Sequence, residues 1–207
     1  MLDYIQIPIC NYNDGLEIMN HYLNMRILDK TRNTVMLTEH HNIYTAGVTL
    51  KKIPNELNIP LVKTSRGGKI TYHGPGQRII YPIINLDSIL LKKDIHLYIS
   101  KLQASIINSL AKFGINAFKL EKQPGVWVKK NTQIAKIAFI GIRIKKWISF
   151  HGCAINIATN LKYYNDITPC GIKNCLVTSF HDLGKKISLK EFDQIFTKEF
   201  TKEFYFR

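Results

Sequence analysis

The sequence predicts an α+β domain in which a largely antiparallel sheet is flanked by helices, with a small C-terminal subdomain closing the chain. Three observations carry that prediction. Two segments place apolar residues at helical spacing, the residues from Phe118 onward read as strands broken by turns, and a capped helical pattern ends the chain.

The elements follow in order. Asn13 or Asp14 offers a short polar side chain to the orphan backbone donors of a first helical turn, and Leu16, Met19, Leu23 and Ile27 then recur at helical spacing. A helix over about 14–29 is expected. Val35-Met36-Leu37 is a short apolar strand, and Glu39 to Gly47 reads as an irregular loop whose paired histidines, His40 and His41, are solvated polar residues, with metal binding as the lesser reading. Leu61 to Thr64 is a strand leading into a glycine-rich stretch, and Arg78 to Leu86 runs out of it as another. Pro82 marks an edge or a bulge there, because proline cannot donate to the ladder. Asp94 caps a long amphipathic helix over about 94–113, with Leu97, Leu102, Ile106, Leu110 and Phe113 facing the core and Gly114 at its end. Gly125 to Val128, Ile134 to Ile144 and Ile148 to Ile157 form an antiparallel meander with a turn at Asn131-Thr132. Ser188-Leu189-Lys190-Glu191 has the pattern of a capping box, and Phe192, Ile195, Phe196 and Phe200 extend it as a closing helix.

With 207 residues, 45% of them hydrophobic, the chain can bury one large core. Its opening residues show no basic leader ahead of an apolar run, and no apolar stretch approaches the ~20 residues of a membrane helix. A cytoplasmic protein without membrane association is therefore expected. Cys10, Cys153, Cys170 and Cys175 form no CxxC pair and read as free thiols; Cys170, Cys175 and His181 are poorly spaced for zinc, so no metal is expected.

A formal charge of +14 raises nucleic acid first. Yet the basic residues are scattered as doublets such as Lys51-Lys52 and Lys145-Lys146, with no helix-turn-helix, zinc finger or aromatic RNA-binding motif. Nucleic acid is set aside. The charge either serves to dock acidic protein partners or reflects codon usage rich in Lys, Ile and Asn.

The stretch from Arg66 to Gln77 packs four glycines and a proline into twelve residues. Gly67-Gly68 suits a tight turn that lets backbone approach a ligand closely, and Gly74-Pro75-Gly76 a second turn. Three further features bear on chemistry. Lys136 is a lone cation in an apolar run; it either points outward from an edge strand or lies in a desolvated pocket, where burial favours the neutral base. Cys170, in Thr168-Pro169-Cys170-Gly171, is either a packing residue or a thiol exposed on a rigid turn. His151 beside Gly152 walls a pocket or packs within a strand. No GxSxG elbow, Walker loop or HExxH helix is present.

Taken together these residues resemble one family. Arg66-Gly67-Gly68 through Gln77, Gly125-Val126-Trp127-Val128, Lys136-Ile137-Ala138 with Gly141-Ile142-Arg143, His151-Gly152 with Ala154-Ile155-Asn156, and Pro169-Cys170-Gly171 stand in the order and spacing of the lipoyl(octanoyl) transferases. Glu39-His40, Tyr44-Thr45 and Gly47 resemble the same family's upstream loop. The likeness covers about residues 35–180. It implies the fold of biotin and lipoate protein ligases, a mixed sheet flanked by helices, with residues 1–180 as an acyltransferase domain and 181–207 as a helical segment packed on it. It implies transfer of an octanoyl group from octanoyl-acyl carrier protein to a lysine of lipoyl domains, in 2-oxoacid dehydrogenase complexes and the glycine cleavage H protein, by a monomer that needs no cofactor.

By the same resemblance Cys170 is the acyl-thioester nucleophile and Lys136 the residue that lowers its pKa and acts as base. Arg66, Gly67, Gly68, Lys69, Ile70, Thr71, Tyr72 and His73 line the acyl site, with Phe139, Ile140 and Gly141 and with Gly152, Cys153 and Ala154. Lys69 and Arg78 add charge around the glycine motif, and Cys153 stands where a bulkier apolar residue is common. An ATP-dependent lipoate or biotin ligase on the same fold, and an amidotransferase moving octanoyl between lipoyl domains, remain open alternatives.

Overall fold

Strands that read as unbroken apolar runs are buried on both faces, and the centre of this molecule shows that arrangement. A computed structural model describes residues 2–54, 56–90, 93–121, 123–168 and 175–205. Its main sheet has the order β1 (Leu2–Gln6), β2 (Asn33–Thr38), β6 (Gln77–Ile83), β10 (Ile148–Asn156), β9 (Gln133–Lys145), β8 (Gln123–Lys130) and β7 (Ala117–Leu120), with β11 (Leu176–Val177) pairing onto β9. The pairs are antiparallel except β1 with β2 and β11 with β9, so the sheet is mixed and largely antiparallel, as expected. A second sheet orders β4 (Leu61–Lys63), β3 (Ile43–Ala46) and β5 (Ile70–His73). Strand β3 occupies part of the stretch expected to be an irregular loop.

Side-chain alternation divides the core. On one face Val35, Leu37, Ile80, Cys153 and Ile155 meet α2 (Ile95–Lys112) and α3 (Leu189–Tyr205). On the other, Met36, Ile79, Tyr81 and Ala154 pack with Met19 and Leu23 of α1 (Tyr12–Ile27) and with Tyr44, Ile70 and Tyr72 of the small sheet. The phenylalanine series of α3 enters the main core, with Phe192, Phe196 and Phe200 fully buried.

The helix ends are set by local chemistry. Asp94 caps α2 by accepting from the Leu97 N–H at 3.0 Å, and Gly114 follows its end with φ +72°. Ser188 and Glu191 form the reciprocal capping box, with Ser188 N donating to the Glu191 carboxylate at 2.7 Å and Glu191 N to Ser188 Oγ at 3.2 Å. Helix α1 differs from expectation. It starts earlier, its N-cap is Asn11, and no side-chain cap bond forms. Leu97 is exposed, and Tyr98 takes the core position.

Pro82 lies on β6, an interior strand between β2 and β10, so the edge reading fails. Pairing with β10 runs from Asn156↔Gln77 to Cys153↔Ile80 and resumes only at Asn85↔Ile148. In that gap His151 has φ 54°, and Ser149 Oγ donates to the Pro82 carbonyl at 2.8 Å while accepting from Ile84 N at 3.3 Å. The missing N–H of proline is thus matched by an interruption of the ladder. Among the described residues no helix is long and apolar enough to cross a membrane.

Candidate active site

The gap in the β6–β10 ladder opens onto a cleft of about 510 Å³ of empty space, its mouth included. Its floor is three adjacent strands: Ile79 and Tyr81 of β6, Gly152 and Ala154 of β10, and Phe139 and Gly141 of β9. Its wall is the glycine-rich loop Arg66 to Lys69 running into Ile70, Thr71 and His73 of β5, with Tyr12 of α1 at one side.

Close backbone approach explains the glycines. Gly67 N donates to Ile142 O at 3.1 Å, and a Cβ on Gly141 would sit 2.9 Å from Gly67 O. A Cβ on Gly47 would come within 2.2 Å of Gly68 O, and Gly68 itself has φ +88°. Loop and sheet therefore touch through backbone, which only glycine permits. Arg66 holds the loop from within. Its buried guanidinium donates to Thr45 O at 2.6 Å, Gly67 O at 3.0 Å and Lys69 O at 2.9 Å. Of the residues expected at the acyl site, all but Tyr72 line the cleft, Ile140 and Cys153 with side chains that pack into the α2-side core. Tyr72, alternating with Thr71 and His73, turns away to donate to Asn42 Oδ1 at 2.7 Å and stacks on Tyr163. Cys153 contributes backbone, while its side chain joins the α2-side core, where burial pushes the thiol up to about 12 and keeps it inert.

Polar groups cluster at one end. His73 stacks on Tyr12, with ring centroids 5.8 Å apart, and its Nδ1 is 2.7 Å from Gln77 Oε1. His40 Nε2 is 2.8 Å from the Tyr81 hydroxyl. Far from being solvated, His40 is fully buried. Burial pushes His73 down to about 3, aided by His40 and Arg66, and pushes His40 down to about 4. Burial, then Arg66 and Arg143, push His151 down to about 4 as well. These imidazoles are neutral at pH 7. His151, offered from sequence as a pocket wall, lines the cleft; Tyr12, Ile79 and Tyr81 line it without having been assigned to it, Ile79 and Tyr81 lying in an unbroken apolar run that does not say which face each takes, and nothing local marking Tyr12.

Lys136 lies on β9, an interior strand, and is 1% exposed, so it does not point outward from an edge. Strand β9 carries one extra residue there, since Val126 pairs with Ala138 but Trp127 with Lys136. Lys136 Nζ donates to Pro124 O at 2.8 Å and lies 4.8 Å from the Trp127 ring centroid and 5.1 Å from that of Phe139, the residue that floors the cleft. Gly125, with φ +125°, makes room for it; a Cβ there would meet Lys136 Cε at 2.4 Å. Strand β11 then pairs in parallel with this part of β9, Val177 opposite Lys136, and Thr178 N donates to Lys136 O at 2.9 Å. Cys170 lies outside the described residues. The turn before it, residues 161–166, is fixed to the small sheet, the Tyr44 hydroxyl donating to Tyr163 O at 2.7 Å and Asp166 Oδ2 at 2.8 Å.

The model of the lipoyl protein ligase A/B catalytic domain matches residues 11–201. An octanoyltransferase of Rickettsia rickettsii is 47% identical over 99% of this chain and 100% of its own length. Among solved structures, a bipartite lipoate protein ligase from Thermoplasma acidophilum, described with its lipoyl domain, superimposes with TM-score 0.71 at 16% identity, covering 98% of this chain and 82% of that one. A biotin protein ligase from Aquifex aeolicus gives 0.59 at 12% identity, over 97% and 69%. The mixed sheet with its helices is therefore the fold shared by lipoate and biotin protein ligases.

Proposed function

This chain belongs to the lipoyl protein ligase A/B catalytic family, and we propose that it transfers an octanoyl group from acyl carrier protein to a lysine of a lipoyl domain through a thioester on Cys170, assisted by Lys136. The observation that carries this reading is Lys136. A lysine buried beside a cleft with an apolar floor, on the strand that pairs with the chain emerging from the Cys170 segment, suits a partner for a thiol better than an anchor for bulk packing.

The chemistry runs in two balanced steps. The Cys170 thiol passes its proton to Lys136, and the resulting ammonium stabilises the thiolate; an unperturbed thiol of pKa ~8.5 is only a few per cent ionised at neutral pH. The thiolate attacks the donor carbonyl, the carrier's sulfur leaves, and Lys136 returns the proton to it. The acceptor amine then attacks the acyl-enzyme, its surplus proton passes to Lys136, Cys170 leaves as thiolate, and Lys136 returns that proton to it, restoring the thiol. Ile70, Ile79, Phe139 and Ala154 give the acyl chain an apolar bed during both steps. Thioester becomes amide, a downhill exchange that requires no nucleotide.

A transfer assay with octanoyl-acyl carrier protein, a lipoyl domain and no ATP tests the reading. Wild type is expected to octanoylate the domain, and Lys136→Ala to slow it about a hundredfold or more. Octanoylation that requires free octanoate and ATP would instead make the protein a ligase.

A further inference from the structure

Lys136 is placed by an arrangement that begins on the far side of the sheet from the cleft. Among the described residues, neither Pro124 nor Gly125 has a partner in the registers of β8 with its neighbours. Pairing with β7 passes from Leu120↔Gln123 to Phe118↔Trp127, and pairing with β9 begins at Val126↔Ala138. Two side chains bond the carbonyls of this irregular stretch. Lys136 Nζ donates to Pro124 O at 2.8 Å, and Gln103 Nε2, reaching from α2, donates to Gly125 O at 2.8 Å.

Packing alone does not account for Gln103. The other buried residues of α2 are Tyr98, Leu102, Ile106 and Leu110, with Ser105 and Ser109, whose hydroxyls donate to carbonyls of their own helix. An amide buried among them costs free energy unless it is bonded, and its bond goes to the glycine beside Lys136. That glycine is the pivot of the stretch. Gly125 sits at φ +125°, and glycine crosses between positive and negative φ at little cost. The ring of Pro124 fixes its own φ, so the direction of the Pro124 carbonyl depends on what holds Gly125. We infer that Gln103 is a positioning residue: by bonding Gly125 O it fixes the glycine, aims the Pro124 carbonyl at Lys136 and keeps the amine beside the Trp127 and Phe139 rings. Its part in the reaction rests on Lys136 moving protons as proposed above.

Two measurements on the whole chain test this. In the first, the protein is labelled with carbon-13 at lysine Cε, and the Lys136 resonance is assigned by its loss in Lys136→Met. Aromatic faces shield the nuclei above them, so in wild type this resonance should stand apart from those of exposed lysines. Gln103→Met keeps the length of the side chain without its donor and is expected to move the resonance toward them. Ile106→Val thins the same contact of helix and sheet but leaves the bond, and should keep it in place. In the second, octanoyl transfer to a lipoyl domain is expected to show kcat about tenfold lower in Gln103→Met, near the worth of one hydrogen bond, with KM for the donor unchanged and Ile106→Val close to wild type. An unmoved Lys136 resonance in Gln103→Met, or the same displacement in Ile106→Val, would overturn the inference. The resonance needs no acyl transfer, so a wild-type protein that transfers nothing would refute the transferase reading while the spectra still decide whether Gln103 places Lys136.

Discussion

Three neutral histidines beside one cleft make the protein sensitive to acid in a way single residues account for. Burial holds His40 and His151 to about 4 and His73 to about 3, against ~6.5 in an unfolded chain. Their native pKa values are depressed, so between about pH 6.5 and 4 the unfolded state binds more protons, and stability falls as pH falls. From pH 7 to 5 each histidine costs about 1.8 kcal/mol; Asp193, pushed up to about 6 by burial despite Arg78, offsets about 1.3 kcal/mol, leaving a net loss of about 4 kcal/mol. Thermal unfolding at constant ionic strength should show a midpoint about 10 °C lower at pH 5, and a smaller drop in His151→Asn. A midpoint indifferent to pH over that range would contradict the burial argument. Residues with backbone meaning were legible beforehand: Gly67 and Gly68 announce close backbone approach, because glycine alone carries no Cβ. His40 was not, because a histidine pair looks solvated until β6 supplies Tyr81 and the bridge between Cys10 and His40 brings the chain ahead of α1 against it.

At the scale of elements, helix ends separate what local sequence decides from what tertiary packing decides. Asp94→Ala removes a bond to the Leu97 N–H and should cost about 1 kcal/mol, a fall of about 3 °C in midpoint. Asn11→Ala should change it little, since the Asn11 side chain makes no cap bond to α1. Equal effects from the two would refute the assignment of caps. Helices α2 and α3 and the meander β8–β9–β10 were readable because their caps, periodicity and turns all lie within a few residues; Lys146 and Trp147, with φ 49° and 59°, close the last hairpin. Strands β1, β3 and β11 were not. Each is short and exists through a partner distant in sequence, β1 through β2, β3 through β4 and β5, and β11 through β9. Leu97 and Tyr98 show the same limit, since helical periodicity allows either to face the core and only contact with β10, where the Tyr98 hydroxyl donates to Ser149 Oγ at 2.9 Å, chooses.

Across the whole molecule, the main sheet separates two jobs. One face, closed by α2 and the phenylalanines of α3, is continuous core; the other, covered by α1 and the small sheet, leaves a cleft where the ladder parts at Pro82 and His151. The glycine loop at 66–69 and Lys136 on β9 come from distant stretches that this topology gathers beside the cleft, and the proposed nucleophile Cys170 precedes β11 in the sequence. That the glycine loop shares one cleft with strands β9 and β10 was implied by the resemblance, but the burial of Lys136 depends on the extra residue in β9 and on Gly125, which spacing alone does not reveal. The most direct measurement is the intact mass of the protein after incubation with octanoyl-acyl carrier protein in the absence of ATP and acceptor. A single octanoyl adduct on wild type, labile to thiols and absent from Cys170→Ser, is the result the thioester mechanism predicts; no adduct on wild type, or one that persists in Cys170→Ser, would contradict it.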